Sequence, residues 1–408
     1  MTSKYICFLG ASGVGKSTLI NALVSNDGIS VVPAGGIGPY TAQAIIVRYG
    51  DRASFKAEYH PKEQVLGLLA GLAKIYEPKV ETRNKARLKD IYKLISKDLL
   101  CRIEEGTQGN KKEQQTTRHE HIKQASLLIT GQQDIQKDIS YLIDGLYAII
   151  YGKVLFSNLI ESADVGRIGK TRALIEKGKF ECNSGQNNKF RDYLNDHATG
   201  HLAPIVKSFE VRVKSDLLKN GLVLVDLPGI GIEGDIHQNV TKEKLAHSDA
   251  VVLVVSTRGI SDAEHRRMKS ARIYDRLFAT DGVGRDRPVN LAIAVTRVDD
   301  IAHSRYKHDK SKKKLQHLVR VCSETEIDIR KQLKLLLRDE WIALGNKKEE
   351  TVTVDRISRE ITIVPVAAVE FRRLCVQDPD DRPFITNASQ SNIPRLRQTL
   401  SLLCRHTY

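Results

Sequence analysis

Apolar positions fall into two textures along the chain. At 4–9 (KYICFL), 221–226 (GLVLVD), 250–256 (AVVLVVS), 290–296 (NLAIAVT) and 360–366 (EITIVPV) they form short, nearly continuous runs. That is the pattern of strands buried on both faces of a parallel sheet. Residues 207–213 (KSFEVRV) also read as a strand, and 42–49 and 54–59 as two extended segments around a turn at Gly50-Asp51. From about 61 to 203 the spacing becomes helical, with Leu88, Ile91, Ile95 and Leu99 in one stripe and Ile135, Ile139, Leu142, Leu146 and Ile149 in another. The polar stretch GTQGNKKEQQTTRHEH between them reads as loop or helix ends. Further helices are predicted at 16–25, from Ser261 with Glu264 completing a capping box, over 302–345 as one helix or two, and at 393–405. The last begins Ile393-Pro394 with Asn392 as its cap. Strand–helix alternation on both sides of a helical block predicts one α/β domain, with a mostly parallel sheet flanked by helices, at 1–60 and 204–408. An all-helical insertion at 61–203 interrupts it.

The first strand leads into Gly10-Ala11-Ser12-Gly13-Val14-Gly15-Lys16-Ser17-Thr18. The match to GxxxxGK[ST] is complete and sits between a strand and a helix, where phosphate binding requires it. Small residues let the backbone wrap a phosphate so that successive N–H groups and the helix N-terminus face the anion. Lys16 would neutralise the β- and γ-phosphates, and the Ser17 hydroxyl would ligate Mg²⁺. Asp226-Leu227-Pro228-Gly229 ends a buried strand, with the carboxylate a second Mg²⁺ holder and the Gly229 N–H a γ-phosphate contact. Thr296-Arg297-Val298-Asp299 ends another. The Asp299 carboxylate can accept two hydrogen bonds from the guanine edge, a pairing that adenine cannot supply, so the nucleotide is GTP or GDP. Arg297 stands where lysine is usual, and its guanidinium can stack on the base. The Ala367 N–H, after the final strand, is assigned to guanine O6. Thr41, in VVPAGGIGPYTAQ, is the candidate to complete the Mg²⁺ shell and position the attacking water. Four elements come in the right order, each near the carboxyl end of a predicted strand or in the loop that follows, as ligand sites in open α/β sheets do.

Composition changes this picture in two places. The net charge of +15 favours anionic partners, an acidic membrane surface or nucleic acid among them, without choosing one. Part of the excess is the run Arg305, Lys307, Lys310, Lys312, Lys313 and Lys314. It carries Tyr306 as its aromatic, which gives base stacking little support, and reads better as a solvated helix face or loop. The six cysteines lie far apart with no CxxC pair, which argues against zinc and a disulfide framework and for a reducing cytosol. No apolar run approaches the ~18–20 residues of a membrane span, and MTSKYICFLG is too short in apolar residues for a secretory signal. The expected compartment is cytoplasmic, or nuclear in a eukaryote. Trp341 reads as helix packing.

GASGVGKSTLINAL, VPAGGIGPYTA, FEVRVKSDLLKNGLVLVDLPGIG, AVTRVDDI, ITIVPVAAVEF and SNIPRLRQTL together resemble the dynamin superfamily of large GTPases, and within it the group around the nuclear GTPase SLIP-GC. The likeness covers 1–60 and about 205–405; the insertion matches only in placement and helical character. It implies GTP hydrolysis with Mg²⁺, low nucleotide affinity, and stimulation when two GTPase domains meet as a homodimer. Ile230 falls where Ras-like enzymes have the residue before or at the catalytic Gln, and Ser12 and Gly13 stand where dynamins proper have Gln and Ser. Catalytic help would then come from Lys16, Thr41, Ser12 or a partner chain, and slow basal turnover is expected. The alternative is a nucleotide-dependent switch whose helical lobe captures a protein partner, with hydrolysis only a timer. A third reading, an ATP-driven nucleic-acid protein, would overturn the role of Asp299.

Overall fold

The computed structural model describes residues 3–25, 32, 44–77, 87–89, 91, 93, 111–132, 137–156, 160–185, 189–228, 243–279, 288–345 and 351–403. Among the described residues nine strands make one mostly parallel sheet, and the chain divides into two compact units.

The first unit comprises Met1–Ser54, Glu210–Ile232 and Ile236–Tyr408. In chain order it holds β1 (Lys4–Leu9), α1 (Lys16–Val24) and β2 (Ile45–Tyr49), then the later elements from β6 (Leu222–Asp226) onward. Within it β2 lies beside β6, β6 beside β1, β1 beside β7 (Ala250–Ser256), β7 beside β8 (Asn290–Thr296) and β8 beside β9 (Thr362–Pro365). Only the β2–β6 pair is antiparallel, with Ile45 opposite Asp226; the other four pairs are parallel. All five parallel strands therefore end on the same edge, and the phosphate loop, Asp226, the Thr296–Asp299 segment and Ala367 lie at or just after four of those ends, those of β1, β6, β8 and β9.

Alternate residues of the central strands (Cys7 and Leu9, Val223 and Val225, Val251 and Leu253, Leu291 and Ile293) share one buried cluster with Tyr274, Phe278, Ile329, Leu333, Leu337 and Trp341. These come from α8 (Ile273–Phe278) and the 30-residue α10 (Lys314–Ala343). Trp341 meets Phe278 edge-on at 5.0 Å, the helix packing that the sequence suggested. The remaining helices of this unit are α7 (Asp262–Ser270), α9 (Val298–His308), α11 (Thr351–Glu360), α12 (Ala368–Val376) and α13 (Ile393–Leu403). The stretch predicted as one helix or two over 302–345 is two, α9 and α10. The basic run lies at their junction, with Lys307, Lys310, Lys312 and Lys313 exposed and Arg305 paired to Glu324 at 2.7 Å.

The second unit comprises Phe55–Phe209 and Glu233–Asp235. The helices α2 (Lys62–Tyr76), α3 (Lys111–Thr130), α4 (Ile139–Tyr151) and α5 (Ser162–Lys177) pack on one another and bury Leu69, Leu72, Ala125, Ile129, Leu142, Leu146 and Ile149. At the α3–α4 crossing Gly145 is needed, since a Cβ there would lie 2.6 Å from Ile129. Also in this unit are β3 (Ser54–Tyr59), the helix α6 (Phe190–Ala198), and the first half of β5 (Val206–Val213).

Three sequence expectations change. Residues 61–203 are not all helix, because Lys179–Asn183 forms a strand, β4. Residues 111–121, read as a polar gap, are the first half of α3; their lack of apolar residues hides a helix whose buried contacts lie further on, at Ile122, Ala125, Leu128 and Ile129. Asn392 does not cap α13 with its side chain. That side chain donates to the Pro365 carbonyl, and Ser391 Oγ accepts from the Ile393 N–H instead. Ile95, Leu99 and Ile135 lie outside the described residues.

Candidate nucleotide site

Between β1 and α1 the backbone runs so close to β7 that a Cβ on Gly10 would lie 2.3 Å from the Val254 carbonyl oxygen. Gly13 and Gly15 take positive φ, 72° and 101°, a region that favours glycine. Gly15 turns the loop into α1, whose first internal bond runs from the Leu19 N–H to the Gly15 carbonyl. The Lys16, Ser17 and Thr18 amides thus head a helix without intrahelical acceptors, the geometry that binds anions. Ser12 and Gly13 are exposed at the tip of the loop, while Ala11, Ser17 and Thr18 are half-buried and Val14 is buried.

Lys16 is buried, and its ammonium folds back to donate to the Gly10 and Ala11 carbonyls, at 3.1 Å each. Burial lowers its pKa, and the Asp226 and Glu264 carboxylates oppose that. A cation held this dry gains from any anion that enters the loop.

Asp226 ends β6 and is fully buried. Its Oδ2 accepts from Ser17 Oγ at 2.6 Å, whereas Oδ1 has no hydrogen-bond partner among the described residues. Burial raises its pKa, with Lys16 and the Ser17 hydroxyl working the other way. A buried carboxylate oxygen with a bare lone pair beside a hydroxyl is a donor set that suits a hard divalent cation such as Mg²⁺. Thr41 and Gly229, the other residues assigned to this end, lie outside the described residues, as does Ile230.

The second focus lies where β8 ends. Thr296 is buried, its hydroxyl within bonding distance of the Val14 and Val255 carbonyls (2.6 and 3.1 Å). Arg297 sits in the left-handed region, φ 63°, a conformation costing a non-glycine residue about 1 kcal/mol. From there its guanidinium donates to the Gly13 carbonyl, tying this loop to the phosphate loop. Asp299, in the first turn of α9, is 6% exposed. One oxygen accepts from the Asp300 N–H at 3.2 Å and the other, Oδ2, has no partner among the described residues. Its pKa is raised to about 6, chiefly by burial and then by the neighbouring Asp300 charge, with a smaller push from Glu370.

The Ala367 assignment does not hold. The Ala367 N–H donates to the Ser391 carbonyl at 3.0 Å, so it is not free for a base oxygen. The first-turn amides of α12 that follow it are the better donors there.

Sequence reasoning passed over three residues that organise the site. Glu264 was read only as a cap, yet its Oε1 accepts from the Ala11 N–H. The buried Asn21 amide grips Val32 on both sides, donating to its carbonyl at 2.6 Å and accepting from its N–H at 2.8 Å. Glu370, fully buried, accepts from Arg373 and from the Phe384 N–H, fixing the chain that follows α12.

The dynamin-family model matches residues 6–276. The nuclear GTPase SLIP-GC of Mus musculus is 22% identical over 312 residues, covering 74% of this chain and 33% of that protein. Its Homo sapiens counterpart is 22% identical over 311 residues, covering 73% and 32%. The chain thus spans about a third of the length of these curated relatives. Two solved structures of an oligomerised bacterial dynamin pair, described as a mechanism for long-range sensing and tethering of membranes, are also similar. One has a TM-score of 0.48 at 14% identity over 98% of this chain and 37% of its own. The other has 0.42 at 13% identity, over 100% and 45%. With the family model spanning more than half of its residues, the chain belongs to the dynamin family.

Proposed function

We propose that this chain binds GTP and GDP together with Mg²⁺ and hydrolyses GTP to GDP and phosphate. One observation carries the reading: two buried carboxylates, Asp226 and Asp299, each keep one oxygen without a partner among the described residues, and they lie at and just after carboxyl ends of the strand set that carries the phosphate loop. A protein leaves such oxygens bare in its interior at a cost of ~1–3 kcal/mol each, and a ligand that meets them recovers it.

In this reading the loop amides and Lys16 hold the phosphates, and Lys16 exchanges its two carbonyl partners for phosphate oxygens. Ser17 and Asp226 would hold Mg²⁺, which supplies charge neutralisation between the β- and γ-phosphates when bound. Asp299 accepts from the guanine N1–H and N2–H₂, and Arg297 lies against the base. Thr41 orients the attacking water. The exposed Ser12 offers one hydroxyl at the loop tip and Gly13 offers no side chain, so turnover of the isolated chain is slow and rises when two GTPase domains meet. The working unit is residues 1–60 with 204–408, in a cytoplasmic setting.

The test is hydrolysis of GTP and ATP across a protein concentration series with Mg²⁺. Specific GTPase activity that climbs with concentration, with ATP inert, is the expected result. Flat specific activity with GTP-dependent capture of another protein by the helices of residues 61–203 would instead favour a timed switch. Calorimetry showing no binding of any guanine nucleotide would end both readings.

A further inference from the structure

The loop from β7 to α7 does more than begin a helix. Glu264 is 3% exposed, and its two oxygens face different elements. Oε2 accepts from the Ser261 N–H at 2.8 Å and from the Ser261 hydroxyl at 3.0 Å, while the Glu264 N–H returns a bond to that hydroxyl, closing the capping box. Oε1 points away from the helix and accepts from the Ala11 N–H at 3.3 Å, a contact across 253 residues of sequence. The carboxylate thereby touches the second residue of the phosphate loop, whose carbonyl in turn holds the Lys16 ammonium.

The loop that presents Glu264 is itself pinned. Gln332 of α10 accepts from the Ile260 N–H at 2.8 Å and donates to the Ile260 carbonyl at 2.7 Å. Gly259, at φ 93°, passes so near that a Cβ would lie 2.3 Å from the Gln332 side-chain oxygen. A helix cap alone requires none of this. Asp or Ser at the start of α7 would satisfy its amides locally, and the reach to Ala11 would be lost.

We propose that Glu264 is a positioning residue for the phosphate loop: it fixes the Ala11 peptide, and through the Ala11 carbonyl the resting place of Lys16, so that the cradle is set before nucleotide arrives. The inference rests on the nucleotide-binding reading above and adds to it a residue from outside the motif. A preset loop pays less ordering entropy on binding, so the effect belongs in nucleotide affinity and KM, with helix stability a separate quantity.

The experiment compares Glu264→Gln and Ser261→Ala with the unaltered chain, measuring GDP affinity with a fluorescent guanine nucleotide, kcat and KM for GTP, and thermal unfolding without nucleotide. Ser261→Ala removes half of the cap yet leaves the backbone N–H of Ser261 to hold Glu264. It is expected to lower the unfolding midpoint and leave GDP affinity within about twofold. Glu264→Gln weakens a hydrogen bond to a charged acceptor and is expected to weaken GDP binding and raise KM by roughly five- to twentyfold, at a midpoint similar to that of Ser261→Ala. Equal affinities in the two variants would reduce Glu264 to a cap and overturn the proposal. Failure of the unaltered chain to bind GDP would instead overturn the nucleotide reading, so the two failures are distinguishable.

Discussion

Replacing Asp299 by Asn should make the nucleotide-free protein more stable while removing its guanine preference. The folded carboxyl has its pKa raised from 3.8 to about 6, with burial the largest cause. A raised carboxyl pKa means that the native state binds more protons than the unfolded chain, so stability falls as pH rises from the unfolded value through the folded one. The shift corresponds to roughly 3 kcal/mol lost by about pH 7.5 and roughly half of that at about pH 5. Asparagine carries no charge but leaves a buried amide short of partners, at ~1–2 kcal/mol. The net gain of Asp299→Asn is therefore about 1–2 kcal/mol at about pH 7.5, vanishing near pH 5. For a unit of this size that is ~2–6 °C in the unfolding midpoint. Thermal unfolding of both proteins without nucleotide, at several pH values, reads it directly. In calorimetry the variant should lose guanine nucleotides and accept xanthine nucleotides, whose 2-oxo edge complements an amide donor. A variant less stable than the parent at about pH 7.5, or a stability difference that stays constant with pH, would refute the argument that Asp299 is held charged against its environment for a ligand.

Lys16→Ala should abolish GTP turnover, because the ammonium that leaves the Gly10 and Ala11 carbonyls is the loop's own cation; parental rates in a phosphate-release assay would remove the loop from the site. Gly10→Ala drives a methyl against the Val254 carbonyl and should cost roughly 2–4 kcal/mol of stability, which denaturant unfolding would show; an unchanged midpoint contradicts the close approach. Thr41→Ala should spare GDP affinity and cripple single-turnover hydrolysis, and full activity would assign the water-positioning role elsewhere.

What could be read from the sequence follows from how local each signal is. The phosphate loop announces itself because its glycines, Lys16 and Ser17 fall at a fixed local spacing between a strand and a helix, and Asp226 and Asp299 because one ends and the other closely follows a continuous apolar run, β6 or β8. β4 was not legible: its five residues are mostly exposed and carry one buried side chain, Cys182, so neither alternation nor a buried run marks it. The first half of α3 has no apolar stripe to betray its period. The fate of the Ala367 amide depended on Ser391 returning to meet it, and the second role of Glu264 on the placement of β7 beside β1. Such contacts are set by tertiary packing and leave no local pattern.

The carboxylates that follow β6, β7 and β8 make the same distinction in energetic form. Glu264 has both oxygens bonded, one to its own helix cap and one to the phosphate loop. Among the described residues Asp226 and Asp299 have one oxygen bonded and one bare. All three are buried, so burial does not separate them; satisfaction does. A fold that needed these groups only for its own stability would pair every oxygen, as it has for Glu264, because each bare one weakens the empty protein. The residue whose hydrogen bonds close within the chain belongs to the scaffold, and the two whose bonds remain open are where magnesium and guanine would complete them.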